Sequence, residues 1–400
     1  VFSAEAPERE VAIRELLRSR LAGLGPVTVS TLAADFALPR QELESALLGL
    51  QAEGYAMLMG GDPDTPDAEN TWCERRLLAR IHRYSRERRR RAARPVTPAT
   101  YMCFLLEWHG LGEPAGEMEQ SLAQLEGWAA PVAAWEQGLL AARCADYSSQ
   151  RLDEQFLSGY LTWFRPGAAE PAAQQLIAAT PIAIVPRDRL PVWSAPRDAR
   201  PARQGGVAQR IWAELRRGGA LFTVELGQRT GLMQTQLERG LAELVAQGLI
   251  SADAFSPLRW LIRPEPEKHR IQKKLGRRRG GPGAGLLGRW STVREDGVAS
   301  NDVADGELFP QQARLAAICE ALLLRYGVVF RAVLERESLL PPWRLLLRYL
   351  RRMEDRGEVQ GGRFVDGFSG EQFALPEAVG LLRAKARNAS ERRLAVINAA

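Results

Sequence analysis

Tandem winged helices, mainly α with small β sheets and joined by a small β module, are the fold class this sequence predicts. Three observations carry that expectation. One helical pattern recurs three times, each copy closes on a glycine, and each glycine is followed by a short extended run. Counting back from Gly54, Gly248 and Gly357, the residues at −11, −7 and −4 are Leu43, Leu47 and Leu50, then Leu237, Leu241 and Leu244, then Leu346, Leu350 and Met353. Spacings of four and three put each trio on one face of an amphipathic helix. The glycine supplies the left-handed conformation that ends such a helix.

The first copy takes residues 1–72. A longer apolar-periodic helix (8–22) precedes a turn, a second short helix and the helix ending at Gly54, and Tyr55 to Met59 reads as a strand before an acidic loop from Asp62 to Glu69. Residues 73–195 form a helical domain, read as a degenerate winged helix. It opens on a basic helix over about 74–92 with Leu77, Leu78, Ile81 and Tyr84 on its apolar side, and closes on strands at 160–164 and 182–185. The second clear copy spans 196–262, starting from a helix at 206–217 and ending with Leu249-Ile250-Ser251. Residues 263–308, rich in Pro, Gly and Arg, read as a linker and the start of the β module. The third clear copy spans 309–380. In it Glu358-Val359-Gln360, Gly361-Gly362 and Arg363-Phe364-Val365 read as a hairpin around a Gly-Gly turn. Residues 381–400 are a C-terminal tail. Helix, helix, helix, hairpin is the winged form of helix-turn-helix.

Composition bounds the rest. Hydrophobic residues make up 46% and charged residues 26% of the 400, the balance of a globular chain, which excludes wholesale disorder. No apolar run reaches the roughly 18 residues that span a bilayer, so no membrane partner is expected. The start at Val1-Phe2-Ser3 reads as that of a piece cut from something longer. Four scattered cysteines fit a reducing cytoplasm.

Several chemistries lack their residues. Gly283 to Trp290 looks like a phosphate-binding loop, but Arg289 and Trp290 stand where Lys and Ser/Thr are needed to reach phosphates and magnesium. The chain is therefore not expected to hydrolyse ATP and needs no cofactor of its own. No Cys-x-x-Cys or His-Glu-x-x-His occurs, and His82, His109 and His269 lie far apart, so no metal site is expected. Gly367-Phe368-Ser369-Gly370 is one residue short of a nucleophile elbow and falls on a wing.

The net charge of +6 is unevenly spread. Residues 74–94 carry ten Arg against two Glu, and residues 268–279 carry seven cations, which leaves the remainder at −9. Basic stretches on a mildly acidic body are what a polyanion partner calls for; a solvated helix face and a linker are the plainer reading of each run alone. Outward residues of each recognition helix sharpen the choice. The first presents Glu42, Glu44 and Glu53, which repel phosphate and point to packing on protein. The second presents Gln234, Thr235, Gln236 and Arg239 and fits either role. The third presents Trp343, Arg344, Arg348, Arg351 and Arg352, cations with an aromatic for clamping a backbone or stacking on a base. The expected nucleic-acid contacts are these five together with Lys273, Lys274, Arg277, Arg278, Arg279, Arg88 and Arg90.

Trp72 to Arg83, Gly288-Arg289-Trp290-Ser291, Gly362 to Val365 and Ser369 to Pro376 resemble the large helicase-related (Lhr) proteins of bacteria, in the order and spacing of their carboxy-terminal region. The resemblance implies a cytoplasmic, nucleoid-associated DNA-repair protein. Its ATP- and magnesium-dependent core, a 3′-to-5′ translocase and DNA or RNA–DNA helicase, lies outside this chain. It also implies self-assembly, with a homotetramer favoured, and similarity to bacterial glycosylases that open interstrand crosslinks, with uracil the candidate base. Those glycosylases use a Gln–apolar–Gln or Gln–apolar–Asp motif, which Gln124-Leu125-Glu126, Gln236-Leu237-Glu238 and Gln372-Phe373-Ala374 do not match. No catalytic residue is assigned; Asp366 and Glu371, flanking the last wing loop, are the acids nearest the basic copy. The leading expectation is a helicase module that oligomerises and binds single-stranded DNA or an RNA–DNA hybrid. A glycosylase and a protein-binding array are the alternatives.

Overall fold

A computed structural model of the chain describes residues 8–60, 70–111, 116–167, 175–194, 206–276, 286, 288–293 and 308–387. The chain forms two compact units, residues 1–93 and 94–400.

In the first unit, α1 (Arg9–Leu21), β1 (Val27–Thr28), α2 (Val29–Phe36), α3 (Arg40–Ala52), β2 (Ala56–Met59) and β3 (Thr71–Glu74) form one winged helix, and α4 (Arg75–Ala92) follows directly. The antiparallel sheet runs β1-β3-β2. Leu17, Leu21, Leu32, Leu43, Leu47 and Leu50 are all fully buried beneath it. Thr28 Oγ1 accepts the Thr31 N–H and caps α2. The Glu74 carboxylate accepts the N–H groups of Arg76 and Leu77 at 2.9 and 2.5 Å and starts α4. The apolar side expected along α4 is shorter than the spacing implied: Leu78 is its buried residue, whereas Tyr84 is 71% exposed. α4 follows the sheet's central strand, β3, without a break.

The second unit holds three more winged helices. The first comprises α5 (Pro98–Trp108), α6 (Met118–Gln124), β4 (Ala130–Pro131), α7 (Val132–Ala134) continued as a π-turn over Trp135–Leu140, α8 (Ser149–Leu157), β5 (Leu161–Phe164) and β6 (Pro181–Pro186). After α9 (Leu190–Trp193) come α10 (Val207–Gly218), β7 (Leu221–Phe222), α11 (Thr223–Thr230), α12 (Gln234–Ala246), β8 (Ile250–Ala252), α13 (Ser256–Leu261), α14 (Glu265–Gly276) and β9 (Arg289–Thr292). The last comprises α15 (Leu308–Tyr326), β10 (Val328–Val329), a 3-10 turn at Arg331–Leu334, α16 (Trp343–Asp355), β11 (Gln360–Gly362), β12 (Gln372–Ala374) and α17 (Pro376–Arg387). Their sheets run β4-β6-β5, β7-β9-β8 and β10-β12-β11. In all four domains the last strand is central, so residues 94–194 form a winged helix like the others.

The repeated helices end alike. Tyr55, Leu249 and Glu358 donate their N–H to the carbonyls of Leu50, Leu244 and Met353 at 2.9, 3.0 and 2.9 Å. The glycine before each has φ of +71°, +70° and +81°. That is a Schellman turn, and only glycine adopts it without strain.

Three boundaries differ from the sequence reading. Arg289–Thr292, expected to open a separate β module, is the central strand of the third domain's sheet, pairing Trp290 with both Leu221 and Ala252. Residues 253–288 are thus inserted between that domain's last two strands, and their Pro, Gly and Arg content imitates a linker. In the fourth domain, Gly361 and Gly362 sit inside β11 opposite Phe373 and Gln372 instead of forming the turn. The wing loop is 363–371, because the backbone of Phe364 and Val365 is satisfied elsewhere: fully buried Gln372 accepts both N–H groups at 2.8 Å and donates to Val365 O. The expected tail begins within α17; residues 388–400 lie outside the described residues.

The second unit is welded through side chains. Trp163 donates to Ala254 O at 3.0 Å and meets Trp290 edge to face at 6.4 Å, joining the second and third domains in one core. Tyr101 donates to Tyr326 O and Val328 O, fastening α5 to the fourth domain. A Cβ on Gly327 (φ +63°) would stand 2.6 Å from the Phe104 ring, so this approach requires glycine. Fully buried Arg325 donates to Gln124 O at 3.1 Å and to Glu126 O, and pairs with Glu337, spanning the second and fourth domains.

Candidate nucleic-acid interface

Each domain offers one third helix, and three of these four are engaged by neighbours. On α3, Glu42 meets Arg9 at 2.9 Å, and Glu53 meets Arg14 at 3.2 Å and also Arg18. The Arg18 hydrogen bond holds the Glu53 carboxyl below its ordinary range. The acidic face is therefore matched largely by arginines of α1 in the same domain.

Basic side chains of the insertion in the third domain reach both α8 and α12. Arg259 of α13 reaches Glu136 and Asp153 at 2.7 Å each and donates to Ser149 O at 3.2 Å, closing over the start of α8. Lys268 of α14 pairs with Glu238 of α12 at 3.6 Å, both side chains buried. Gln236 caps its own helix through the Met233 N–H, and Gln234 donates to Glu238. Thr235 and Arg239 stay exposed.

α16 is open. Leu346, Leu350 and Met353 face the core, and Arg344, Arg348, Arg351 and Arg352 are exposed on the opposite side. Among the described residues, Arg344, Arg348 and Arg352 form no ion pair. Arg351 does: its Nε and Nη2 both reach Glu371 Oε2, at 2.8 and 2.7 Å. Trp343 is half-buried against the fourth domain's core cluster, so its ring divides between core and surface.

The other residues singled out in the sequence are dispersed. Lys273 is exposed on α14, whose side chain at Lys274 is not described, and Arg277, Arg278 and Arg279 lie outside the described residues. Arg88 is exposed and Arg90 partly so, on α4 of the first unit. Asp366 is exposed at the wing, while Glu371 is the Arg351 partner. Sequence reasoning missed Gln372, which shapes the wing. Its signal was a polar residue at an inward strand position beside Phe373.

Four winged helices in series, one with an open basic recognition helix, define the class: a tandem winged-helix protein. Residues 96–186 and 310–394 each match a family described as "Large helicase-related protein, winged-helix domain". Over 95% of its length the chain is 29% identical to the Lhr helicase/uracil glycosylase of Escherichia coli (strain K12), and the match covers 26% of that protein. Over 92% it is 26% identical to the Lhr helicase/probable uracil glycosylase of Mycolicibacterium smegmatis (strain ATCC 700084 / mc(2)155), covering 24% of it. The chain carries two winged-helix domains of the large helicase-related family and corresponds to a carboxy-terminal region of such proteins, spanning about a quarter of these curated relatives. Among the described residues, no helix is long and apolar enough to cross a membrane.

Proposed function

We propose that this region is the nucleic-acid-holding module of a DNA-repair helicase, gripping single-stranded DNA or an RNA–DNA hybrid through α16. The observation that carries the reading is the contrast among third helices. Acids of α8 and α12 are paired by Arg259 of α13 and Lys268 of α14, and α3 is largely neutralised by α1. Only α16 presents three exposed arginines without an ion pair among the described residues. Guanidinium groups along one helix face bind phosphate oxygens and release counterions, which gives affinity without reading bases. Binding of a labelled oligonucleotide, titrated with salt for wild type and for R344A/R348A, tests this.

Base excision is the second reading, favoured by the uracil glycosylase named in both relatives. A flipped uracil would need an acid to activate water. Glu371, which pairs with Arg351 of α16, and Asp366 on the same wing are the candidate carboxylates, and abasic-site formation in uracil-containing single-stranded DNA tests them. Self-assembly, as a tetramer, belongs to the same proposal and is read by light scattering.

A further inference from the structure

We propose that α4 is a second nucleic-acid contact, with Arg76, Arg80 and Arg83 holding phosphates of a single strand and Tyr84 stacking on one of its bases. α4 is not the third helix of any domain and belongs to the first unit, so this contact stands whether or not α16 binds. Spacings of four and three set the three arginines on one helix face, over a rise of about 10.5 Å. Arg80, Tyr84 and Arg88, four apart, run beside that stripe and extend the track to about 18 Å from Arg76. All four arginines are exposed, and among the described residues none of them forms an ion pair.

The carboxylates nearest in sequence are committed elsewhere. Glu74 is buried and caps the helix, and Glu87 pairs with Arg91 at 3.0 Å. A solvated helix of the same domain looks different. On α1, Arg9 pairs with Glu42, Arg14 with Glu10 and Glu53, Arg18 with Glu15 and Glu53, and Arg20 with Asp35. Like charges three and four apart on a helix repel, a cost that a bound polyanion removes. Tyr84 is an independent observation. Its ring is 71% exposed beside these arginines, and among the described residues no other ring or guanidinium covers it. Cations next to a bare aromatic ring are the two parts of a single-strand platform: the charges track the backbone and the ring stacks on any base. An acidic protein segment would gain from the charges but offers the ring no base to stack on.

The test uses the full chain and oligo(dT) carrying 5-iododeoxyuridine, cross-linked by ultraviolet light and mapped by mass spectrometry after trypsin. Salt titrations of fluorescein-labelled oligo(dT) run beside it. The expected cross-link falls on Tyr84, in the tryptic peptide Tyr84-Ser85-Arg86. Tyr84→Ala should lower affinity by about 5- to 150-fold, and Tyr84→Phe, which keeps the ring, should restore it. R76A/R80A/R83A should lower the slope of log K against log salt by about 0.7 per phosphate lost, and R76K/R80K/R83K should retain the wild-type slope. No cross-link at Tyr84 and an unchanged slope in R76A/R80A/R83A, beside a reduced slope in R344A/R348A, overturns the α4 assignment and leaves the α16 reading standing. The converse pattern supports α4 and overturns the α16 reading. A reduced slope in R76A/R80A/R83A with no effect of Tyr84→Ala, and with polyglutamate displacing the oligonucleotide, makes α4 a site for acidic protein and overturns the proposal. No binding by wild type overturns both readings.

Discussion

Arg351 commits two nitrogens to a single oxygen of Glu371, at 2.8 and 2.7 Å, and so ties the recognition helix of the fourth domain to its own wing. The contact is half-exposed on the arginine side, which makes it weak as a source of stability, about 0–1 kcal/mol. Its consequence is competitive: a phosphate seeking Arg351 must displace a carboxylate.

Glu371→Gln should therefore tighten binding to single-stranded DNA and steepen the salt slope by about 0.7–0.9, one further phosphate. The melting temperature should barely move. Equal affinity for variant and wild type, measured by fluorescence anisotropy, would show that Arg351 takes no part. For the same reason Arg351→Ala should weaken binding less than Arg348→Ala.

Trp343 and Arg348 should separate stability from binding. The Trp343 ring leans on the core cluster, so Trp343→Ala should cost about 1–3 kcal/mol of stability, below the 3–5 kcal/mol of a fully buried tryptophan. Arg348→Ala is a surface change worth within about 0.5 kcal/mol. Thermal unfolding distinguishes them; equal melting temperatures would remove Trp343 from the core.

His109 sets an acid limit on the second unit. Burial, helped by the nearby positive charge of Arg143, pushes its imidazole down to about 4. In the unfolded chain it titrates near 6.5. Between those values the unfolded state binds a proton that the folded state refuses, so stability is complete above about pH 6.5 and declines as pH falls towards 4. The loss is up to about 3 kcal/mol. His109→Gln should flatten this part of the profile in denaturant titrations; an unaltered slope would mean that other groups cause it.

Arg325 spans two domains, and its pair with Glu337 is almost fully buried. Glu337→Ala leaves an uncompensated guanidinium and should cost about 3–5 kcal/mol. Proteolysis should then cut the second unit while residues 8–60 resist as in wild type. Uniform resistance across the chain would contradict that assignment.

The repeats were legible because three helices share the same leucine spacing and the same glycine turn. The domain before the second clear repeat was harder to read. Its third helix also ends on a positive-φ glycine, Gly159, and keeps Leu152 at −7, but Ser148 and Gln155 stand at −11 and −4 and the other buried residue, Phe156, is at −3. Its second helix is a π-turn, which has no simple period. The strand at 289–292 was hidden by the insertion before it, since pairing across so long a gap leaves no local trace. The basic face of α16 was legible from arginine spacing alone. That acids of α8 and α12 are paired from the insertion was not, because Arg259 and Lys268 read as ordinary charges in the sequence. The partnership of Arg351 with Glu371 crosses a wing whose turn was misplaced by the Gly-Gly signal.

If α16 carries the nucleic-acid contact, the salt dependence of oligo(dT) affinity should differ between wild type and R344A/R348A/R352A. The expected outcome is a log–log slope in the variant lower than wild type by about 0.7–0.9 for each phosphate no longer neutralised, up to about three phosphates, with folding intact. Identical affinities and slopes for the two proteins would contradict it.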